Sequence, residues 1–312
     1  MKYAAVIAAA GRSAGGHGLP PMMCLGEEPA IQKMIRGFRD AGVAEIVAVT
    51  GYKSKILRDY LSSVDIRLVE NRQYAQTQMF DSLLLGLEAL QKPYDYVFLT
   101  PADVPLVQAS TLRAMVQMHG DIICPVCDGI SGHPILLHHS LIPSLSRYTG
   151  GGGLRGALLD MGASVVQVPV EDPGVLLDAN SASDFKRLCR AEREIRDKGR
   201  LCPDIHVCVS KSGVVLTPEI VQFLSMIEHT HTIQDACACM HMSYSKGWTL
   251  LRRIETALGY PLVERTSGGA DGGTSRMTEK GHRLLDAYLQ YQAQIQAFSL
   301  PLFQQLFPPE LC

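Results

Sequence analysis

The sequence predicts an α/β fold, a mostly parallel sheet with helices on both faces, followed by a smaller, mainly helical domain. Three observations carry this. Strand-like and helix-like segments alternate through the first part. A loop of small residues joins the first strand to the first helix. Beyond residue 201 the alternation gives way to capped helices and a two-stranded hairpin. The 312 residues suffice for two domains, assigned to 1–200 and 201–312.

The apolar run 3–9 reads as a buried strand, and the chain turns amphipathic from Ala30. Residues 46–50, 66–69, 96–100, 122–126, 134–137 and 165–170 read as further strands. Residues 53–61 and 80–90 read as helices. Ligands of such sheets bind outside the carboxyl ends of the strands, so acids and small residues just after strands are the ones to read for chemistry. The loop Ala8-Ala9-Ala10-Gly11-Arg12-Ser13 opens such a site. Small side chains let an anion reach exposed backbone N–H groups. Its spacing matches neither G-x-G-x-x-G nor the P-loop, and a flexible glycine turn fits it equally.

Two acids follow apolar runs. Asp103 lies in Thr100-Pro101-Ala102-Asp103-Val104-Pro105, and Asp178 ends the run 175–178. A carboxylate there often caps a helix; two at the ligand edge can hold Mg²⁺, which uses one or two carboxylates plus phosphate oxygens. Cys124-Pro125-Val126-Cys127 has no second pair and sits at a strand end, which disfavours zinc or redox chemistry.

Net charge is −2, so no global positive field argues for nucleic acid. The first residues carry neither a charged leader nor a cleavage site. Their apolar run falls short of the roughly 20 residues that span a bilayer. Nine cysteines, an odd and scattered set, fit reduced thiols in the cytoplasm.

Ala9-Ala10-Gly11-x-Ser13, with Pro21-Met22-Met23-x-Leu25-Gly26, resembles the signature loop of the MobA/MocA-like nucleotidyltransferases. These transfer CMP or GMP to the molybdenum-pterin cofactor. The resemblance implies a nucleotide-diphospho-sugar-transferase-like fold. It places the nucleotide on Ala9, Ala10, Gly11, Arg12 and Ser13. Asn71-x-x-Tyr74 and Met79-x-x-Ser82 match the family helix that contacts base and ribose, which adds Ser82. Pro101-x-Asp103-x-Pro105 looks like the family's metal-binding aspartate motif. Leu177-Asp178-Ala179-Asn180 looks like its late D-x-D-T, with Asn180 and Ser181 departing from it. Gly132-His133-Pro134 and Gly153-Leu154-Arg155-Gly156 resemble its G-H-P and G-L-R segments, so His133 and Arg155 fall on the acceptor side. The A-A-G start is closer to the cytidylyl branch, which favours CTP over GTP. One departure governs the rest: the family's loop arginine falls on Gly15 and its lysine on Pro20. Loss of one cation from a transition-state site typically costs on the order of 10²–10³ in rate. Arg12 and His17 are the cations left in this loop.

Residues 182–199 read as a charged, solvated helix, stopped by Gly199 and Pro203. Thr217 and Pro218 then start a helix. Thr232, with Asp235 three residues on, starts a second, and Ser243 caps a third. On the third, Trp248, Leu251, Ile254 and Leu258 share one face, while Ser245, Lys246, Thr249, Arg252, Arg253 and Thr256 lie away from it. Gly259 ends it. Segments 262–266 and 275–278, around a glycine-rich tip at 268–273, read as a wing.

This is a winged helix-turn-helix pattern, with Ser245, Lys246, Thr249, Arg252, Arg253, Arg265 and Arg276 facing double-stranded DNA. A three-helix protein-interaction module would show the same faces. Thr217-Pro218, Ile233-Gln234-Asp235-Ala236, Ser243-Tyr244-Ser245-Lys246-Gly247-Trp248, Gly259-x-Pro261-Leu262-Val263-x-Arg265 and Ser275-Arg276-x-Thr278 resemble the ModE-type winged helix, related to the LysR type. Gly247 replaces the usual alanine, which costs roughly 1 kcal/mol in a helix interior. ModE's molybdate-binding domains are absent from this sequence. The last helix, 279–298, carries more apolar surface than a small wing domain covers. It predicts a homodimer contact, or else packing on the first domain. Two functions follow: Mg²⁺-dependent cytidylyl transfer to molybdopterin coupled to DNA binding, or a regulator that senses nucleotide or cofactor without turnover.

Overall fold

The computed structural model describes residues 1–312 except 13–18, 27, 92, 180, 198–202, 204, 212, 267–273 and 308–312. The chain divides into two compact units, Met1–Ala191 and Glu192–Cys312.

The first unit runs β1 (Tyr3–Ala9), a 3₁₀ turn (Pro20–Met22), β2 (Cys24–Leu25), β3 (Glu28–Pro29), α1 (Ala30–Asp40), β4 (Glu45–Thr50), α2 (Ser54–Tyr60), β5 (Arg67–Glu70), α3 (Met79–Glu88) and β6 (Tyr96–Pro101). It continues through α4 (Ala109–Met115), β7 (Ile122–Cys127), β8 (Ile130–Ser131), β9 (Ile135–His138), α5 (Ile142–Leu145), α6 (Gly153–Asp160) and β10 (Val165–Pro169). The division between the units falls inside α7 (Ala182–Asp197).

The central sheet has the order β10-β7-β9-β6-β1-β4-β5, with β8 on β7. Pairs β1–β4, β1–β6, β4–β5 and β7–β10 are parallel. Strand β9 runs antiparallel to both neighbours. Helices pack on both faces. Ala4, Val6, Val47, Val49, Val97 and Leu99 meet Phe80, Leu83 and Leu87 of α3 in one buried cluster. On the opposite face Phe38 of α1 packs its ring 5.5 Å from that of Phe98.

Two local readings change in the folded chain. The simple strand–helix alternation breaks after β7, where Asp128 and Gly129, both at positive φ, turn the chain straight back as a hairpin. The run before Asp178 is a 3₁₀ turn, Pro173–Leu176, rather than a strand. Pro173 presets the bend and the Asp172 side chain accepts from Gly174 N–H, so the chain curls before it can extend.

The second unit runs β11 (Val209–Ser210), β12 (Val214–Leu216), α8 (Pro218–Thr230), α9 (Ile233–Cys239), α10 (Tyr244–Leu258), β13 (Val263–Thr266), β14 (Thr274–Met277) and α11 (Glu279–Leu306). Each expected cap forms: Thr217 accepts from Ile220 N–H, Thr232 from Asp235 N–H and Ser243 from Lys246 N–H. Gly259 ends α10 at φ 83°. Strands β13 and β14 pair antiparallel as the wing; its glycine tip lies outside the described residues. Ser275 N–H donates to His231 O at 2.8 Å and so ties the wing to the end of α8.

Gly247 gains a packing reason. A Cβ there would stand 2.3 Å from Cys237 Sγ and 3.0 Å from the Phe223 ring, so only glycine lets α10 approach α8 and α9 this closely. The buried face of α10 is therefore Gly247, Leu251 and Ile254. Trp248, expected on that face, is only half-buried, and its chain neighbour Gly247 holds the closest-packed position instead. The last helix also exceeds its expected end at 298. It runs through Pro301 to Leu306; proline costs this helix one backbone hydrogen bond, and Phe303 stacks on Phe307 at 4.6 Å in the turn that follows.

Candidate functional site

The carboxyl edge of the sheet opens into a cleft of about 160 Å³. Ala9, Ala10, Gly11, Arg12, Ser82 and Asp103 line it together, with Pro20, Tyr74, Thr77, Gln78 and Met79. Of the anticipated nucleotide residues, Ser13 lies outside the described residues, as do Gly15 and His17.

Gly51, Tyr52 and Thr77, which the sequence did not flag, help frame the cleft. Tyr52 N–H donates to Ala10 O at 2.9 Å and pins the loop to the end of β4. A Cβ on Gly51 would lie 2.7 Å from Tyr74 Cβ and 2.8 Å from Ala10 O, so glycine is required for this junction. Arg12 lays its guanidinium over the Tyr52 ring at 4.6 Å. Asn71, 3% exposed, donates to Thr77 Oγ1 at 2.9 Å and to Ser82 Oγ at 3.0 Å, and accepts from Gln73 N–H. Ser82 is thus a held hydroxyl on the cleft wall. Its signal in the sequence was the resemblance of Met79-x-x-Ser82 to the family helix, while its bond to Asn71 is set by the fold. At the start of α3 the Asp81 carboxylate accepts from Gln78 N–H at 2.7 Å.

Asp103 follows β6, as anticipated. Its Oδ1 is buried and meets no hydrogen-bond partner. Burial first, and the Asp178 carboxylate second, push its carboxyl above the ordinary acid range. His133 Nδ1 is the other buried side-chain atom without a partner among the described residues. Burial pulls the His133 ring below its ordinary value, and Asp178 pulls it partly back. Asp178 therefore acts on both orphaned groups, which gathers Asp103, Asp178 and His133 into one electrostatic neighbourhood.

The turn carrying Asp178 is tightly built. Asp172, 2% exposed, accepts from Gln108 N–H at 2.9 Å, Gln108 Nε2 at 3.2 Å, Thr111 Oγ1 at 2.7 Å and Gly174 N–H at 3.0 Å. His133 N–H donates to Val175 O at 2.9 Å. A Cβ on Gly132 would stand 2.5 Å from that carbonyl, and one on Gly174 would stand 2.2 Å from Leu106 O. Close backbone packing thus holds the Asp178 turn against the His133 strand.

Arg155 is exposed in the first turn of α6 and does not line the cleft. The glycine turn before it approaches α3: an added Cβ on Gly153 would sit 3.8 Å from Phe80 Cβ. Cys124 and Cys127 are buried on β7, and burial raises both thiols above their ordinary value. Three residues apart on a strand, they also point to opposite faces, which gives no metal or redox pair. The described residues contain no group of three or more His, Cys, Asp and Glu arranged as a metal centre. The orphaned Asp103 oxygen near a second carboxylate does fit an ion that takes most of its ligands from phosphate and water.

On the second unit Ser245, Lys246, Thr249, Arg252, Arg253, Arg265 and Arg276 are all exposed. Lys246 pairs with Glu219 at 3.3 Å. Thr249 Oγ1 donates back to Ser245 O at 2.8 Å. Arg252 and Arg265 instead lie over Trp248, at 5.5 and 3.6 Å from the ring centre.

A mostly parallel sheet with a small-residue loop and a cleft at its carboxyl edge is the architecture of a nucleotidyltransferase domain. Residues 5–165 match the model of the MobA-like NTP transferase domain, more than half of the chain, and the chain belongs to that family. It is 30% identical over 144 residues to the molybdenum cofactor cytidylyltransferase of Escherichia coli, covering 46% of this chain and 72% of that enzyme. It is 34% identical over 71 residues to the transcriptional regulator ModE of Yersinia pestis, covering 23% of this chain and only 27% of that regulator. A nucleotidyl transferase from Methanothermobacter thermautotroptrophicus shares the fold, with a TM-score of 0.54 at 23% identity over 62% of this chain and 99% of its own. Rv0371c of Mycobacterium tuberculosis, solved also as a manganese complex, shares it with a TM-score of 0.52 at 20% identity, over 61% of this chain and 98% of its own. No described helix is long and apolar enough to cross a membrane.

Proposed function

We propose that the domain assigned to residues 1–200 is a Mg²⁺-dependent cytidylyltransferase that moves CMP from CTP onto a molybdopterin-type acceptor. The domain at 201–312 binds double-stranded DNA, so that transfer and DNA binding are coupled in one cytoplasmic chain. The observation that carries the enzyme reading is the orphaned Asp103 Oδ1 at the cleft, within the field of Asp178. A buried carboxylate oxygen left without a donor is costly unless a cation completes it.

In this reading Asp103 and Asp178 hold the Mg²⁺, which neutralises triphosphate charge when bound. The backbone N–H groups of the loop from Ala9 cradle the phosphates. Ser82, fixed by Asn71, orients the sugar. Arg12 supplies cationic charge beside the leaving group. His133 and Arg155 face the acceptor. The sequence similarity to a molybdenum cofactor cytidylyltransferase supports CTP and the acceptor class. The ModE similarity and the exposed basic face of α10 support DNA.

Titration calorimetry of the chain with CTP or GTP, with and without Mg²⁺, tests the enzyme reading. Metal-dependent binding of CTP is expected. Equal binding of CTP by the Asp103→Asn variant would sink it.

A second reading is favoured by one observation. Pro20, standing at the family's lysine position, is buried and lines the cleft, and proline offers no hydrogen-bond donor. A chain with that replacement can bind nucleotide as a sensor without turning it over. Restoring Gly15→Arg and Pro20→Lys separates the readings: a large gain in turnover favours the sensor, and no gain favours the enzyme as it stands.

A further inference from the structure

The exposed side of the second unit holds an aromatic and cationic cluster that joins its third helix to its wing. Trp248 lies at its centre. The Arg265 guanidinium, from β13, sits 3.6 Å from the indole centre, and that of Arg252, one turn along α10, sits 5.5 Å away. Tyr244 stacks on Trp248 at 6.4 Å with an interplanar angle of 13°, and is itself 55% exposed. Both arginines are exposed, and among the described residues no carboxylate pairs with either.

Two guanidinium groups gathered on one indole repel each other. A cation–π contact at an exposed site offsets little of that repulsion. An anion placed between them turns that repulsion into attraction. Guanidinium forks match phosphate oxygens in pairs. Lys246, nearby on the same helix, already has Glu219.

We infer that Trp248 is a positioning residue that holds Arg252 and Arg265 as one paired site for a backbone phosphate of double-stranded DNA. The indole sets the wing against the helix, so that both arginines meet the same strand. This rests on the DNA-binding reading proposed above.

Trp248 is the sole tryptophan of the chain, so its emission reports on this site directly. The full chain is titrated with a short mixed-sequence duplex at low salt, with binding followed independently by anisotropy of the labelled duplex. A saturable change in tryptophan emission is expected, absent with inorganic phosphate at matched phosphorus. Arg265→Ala is expected to lower the slope of log affinity against log salt by about one. Trp248→Leu is expected to lower that slope as well, while Trp248→Phe, which keeps an aromatic platform, retains it. A merely structural indole would weaken binding without changing the slope.

Duplex binding with an unchanged slope in Arg265→Ala and Trp248→Leu would overturn the inference and leave DNA binding standing. An equal emission change with inorganic phosphate would overturn the commitment to duplex DNA. No anisotropy change with the wild-type chain would sink the DNA-binding reading itself and this inference with it.

Discussion

Asp172 and Asp103 are both acids set just beyond the sheet, and they are treated in opposite ways. Asp172 is 2% exposed and takes four hydrogen bonds from Gln108, Thr111 and Gly174. Asp103 has a buried oxygen with none. A carboxylate whose acceptor sites are filled by its own chain builds structure. One left open, with its charge raised in cost by burial and by Asp178, is not used by the fold in this way. The same contrast recurs on α10, where Lys246 is paired with Glu219 while Arg252 and Arg265 rest on an indole without a counter-ion among the described residues.

The sharpest way to break the contrast is at Asp172. Asp172→Ala strands four donors in a buried place and is expected to cost about 3 kcal/mol. Urea unfolding measures it, and a loss below about 1 kcal/mol would mean that water substitutes for the carboxylate. Gly174→Ala attacks the same turn through packing. Its new Cβ meets the Leu106 carbonyl at 2.2 Å, so about 2 kcal/mol is expected from overpacking, with His133 and Asp178 displaced together. If metal-dependent CTP binding survives that variant unchanged, the turn does not position the site.

Asp103→Asn should move the other way. It removes a charge that burial disfavours, so the ligand-free variant is expected to melt higher than the wild type. Metal-dependent CTP affinity should fall by at least the roughly 10–100-fold seen when a metal site loses a supporting group. The sign of the pH effect follows from the raised carboxyl. The folded protein holds the Asp103 proton more tightly than the unfolded chain, so this residue's contribution to stability falls as pH rises above the ordinary carboxylate range. The advantage of Asp103→Asn should therefore be largest at neutral pH and shrink on acidification. Melting curves of both proteins across that range check it; an advantage that grows toward acid would refute the burial argument. Lys246→Ala, at an exposed pair, is expected to change stability by less than about 0.5 kcal/mol, and a larger loss in a thermal melt would show that the Glu219 contact is a structural one.

Much of this was legible in sequence where the signal was local. The caps at Thr217, Thr232 and Ser243, the stop at Gly259 and the strand β1 each depend on a few neighbouring residues. The position of Asp103 was legible too, because a carboxylate after a buried strand falls at the ligand edge of a parallel sheet. What escaped depends on distant partners. Gly247 carried a helix cost that closer packing could offset, but only the fold showed that the neighbours are Phe223 and Cys237. Trp248 read as core by periodicity, yet it is only half-buried, with the Arg265 guanidinium over its ring. The turn before Asp178 read as strand because its apolar run hid the role of Asp172.

The amino-acid order by itself determined the main strands of the sheet, the helix caps and the residue types at the sheet's open edge, since these follow from periodicity and capping over a few residues. Only the tertiary structure decided which of two nearby acids is spent on the fold and which is left open, and which arginines lean on the lone indole. Hydrogen-bond satisfaction and close packing are settled by residues far apart in the chain, and no local pattern encodes them.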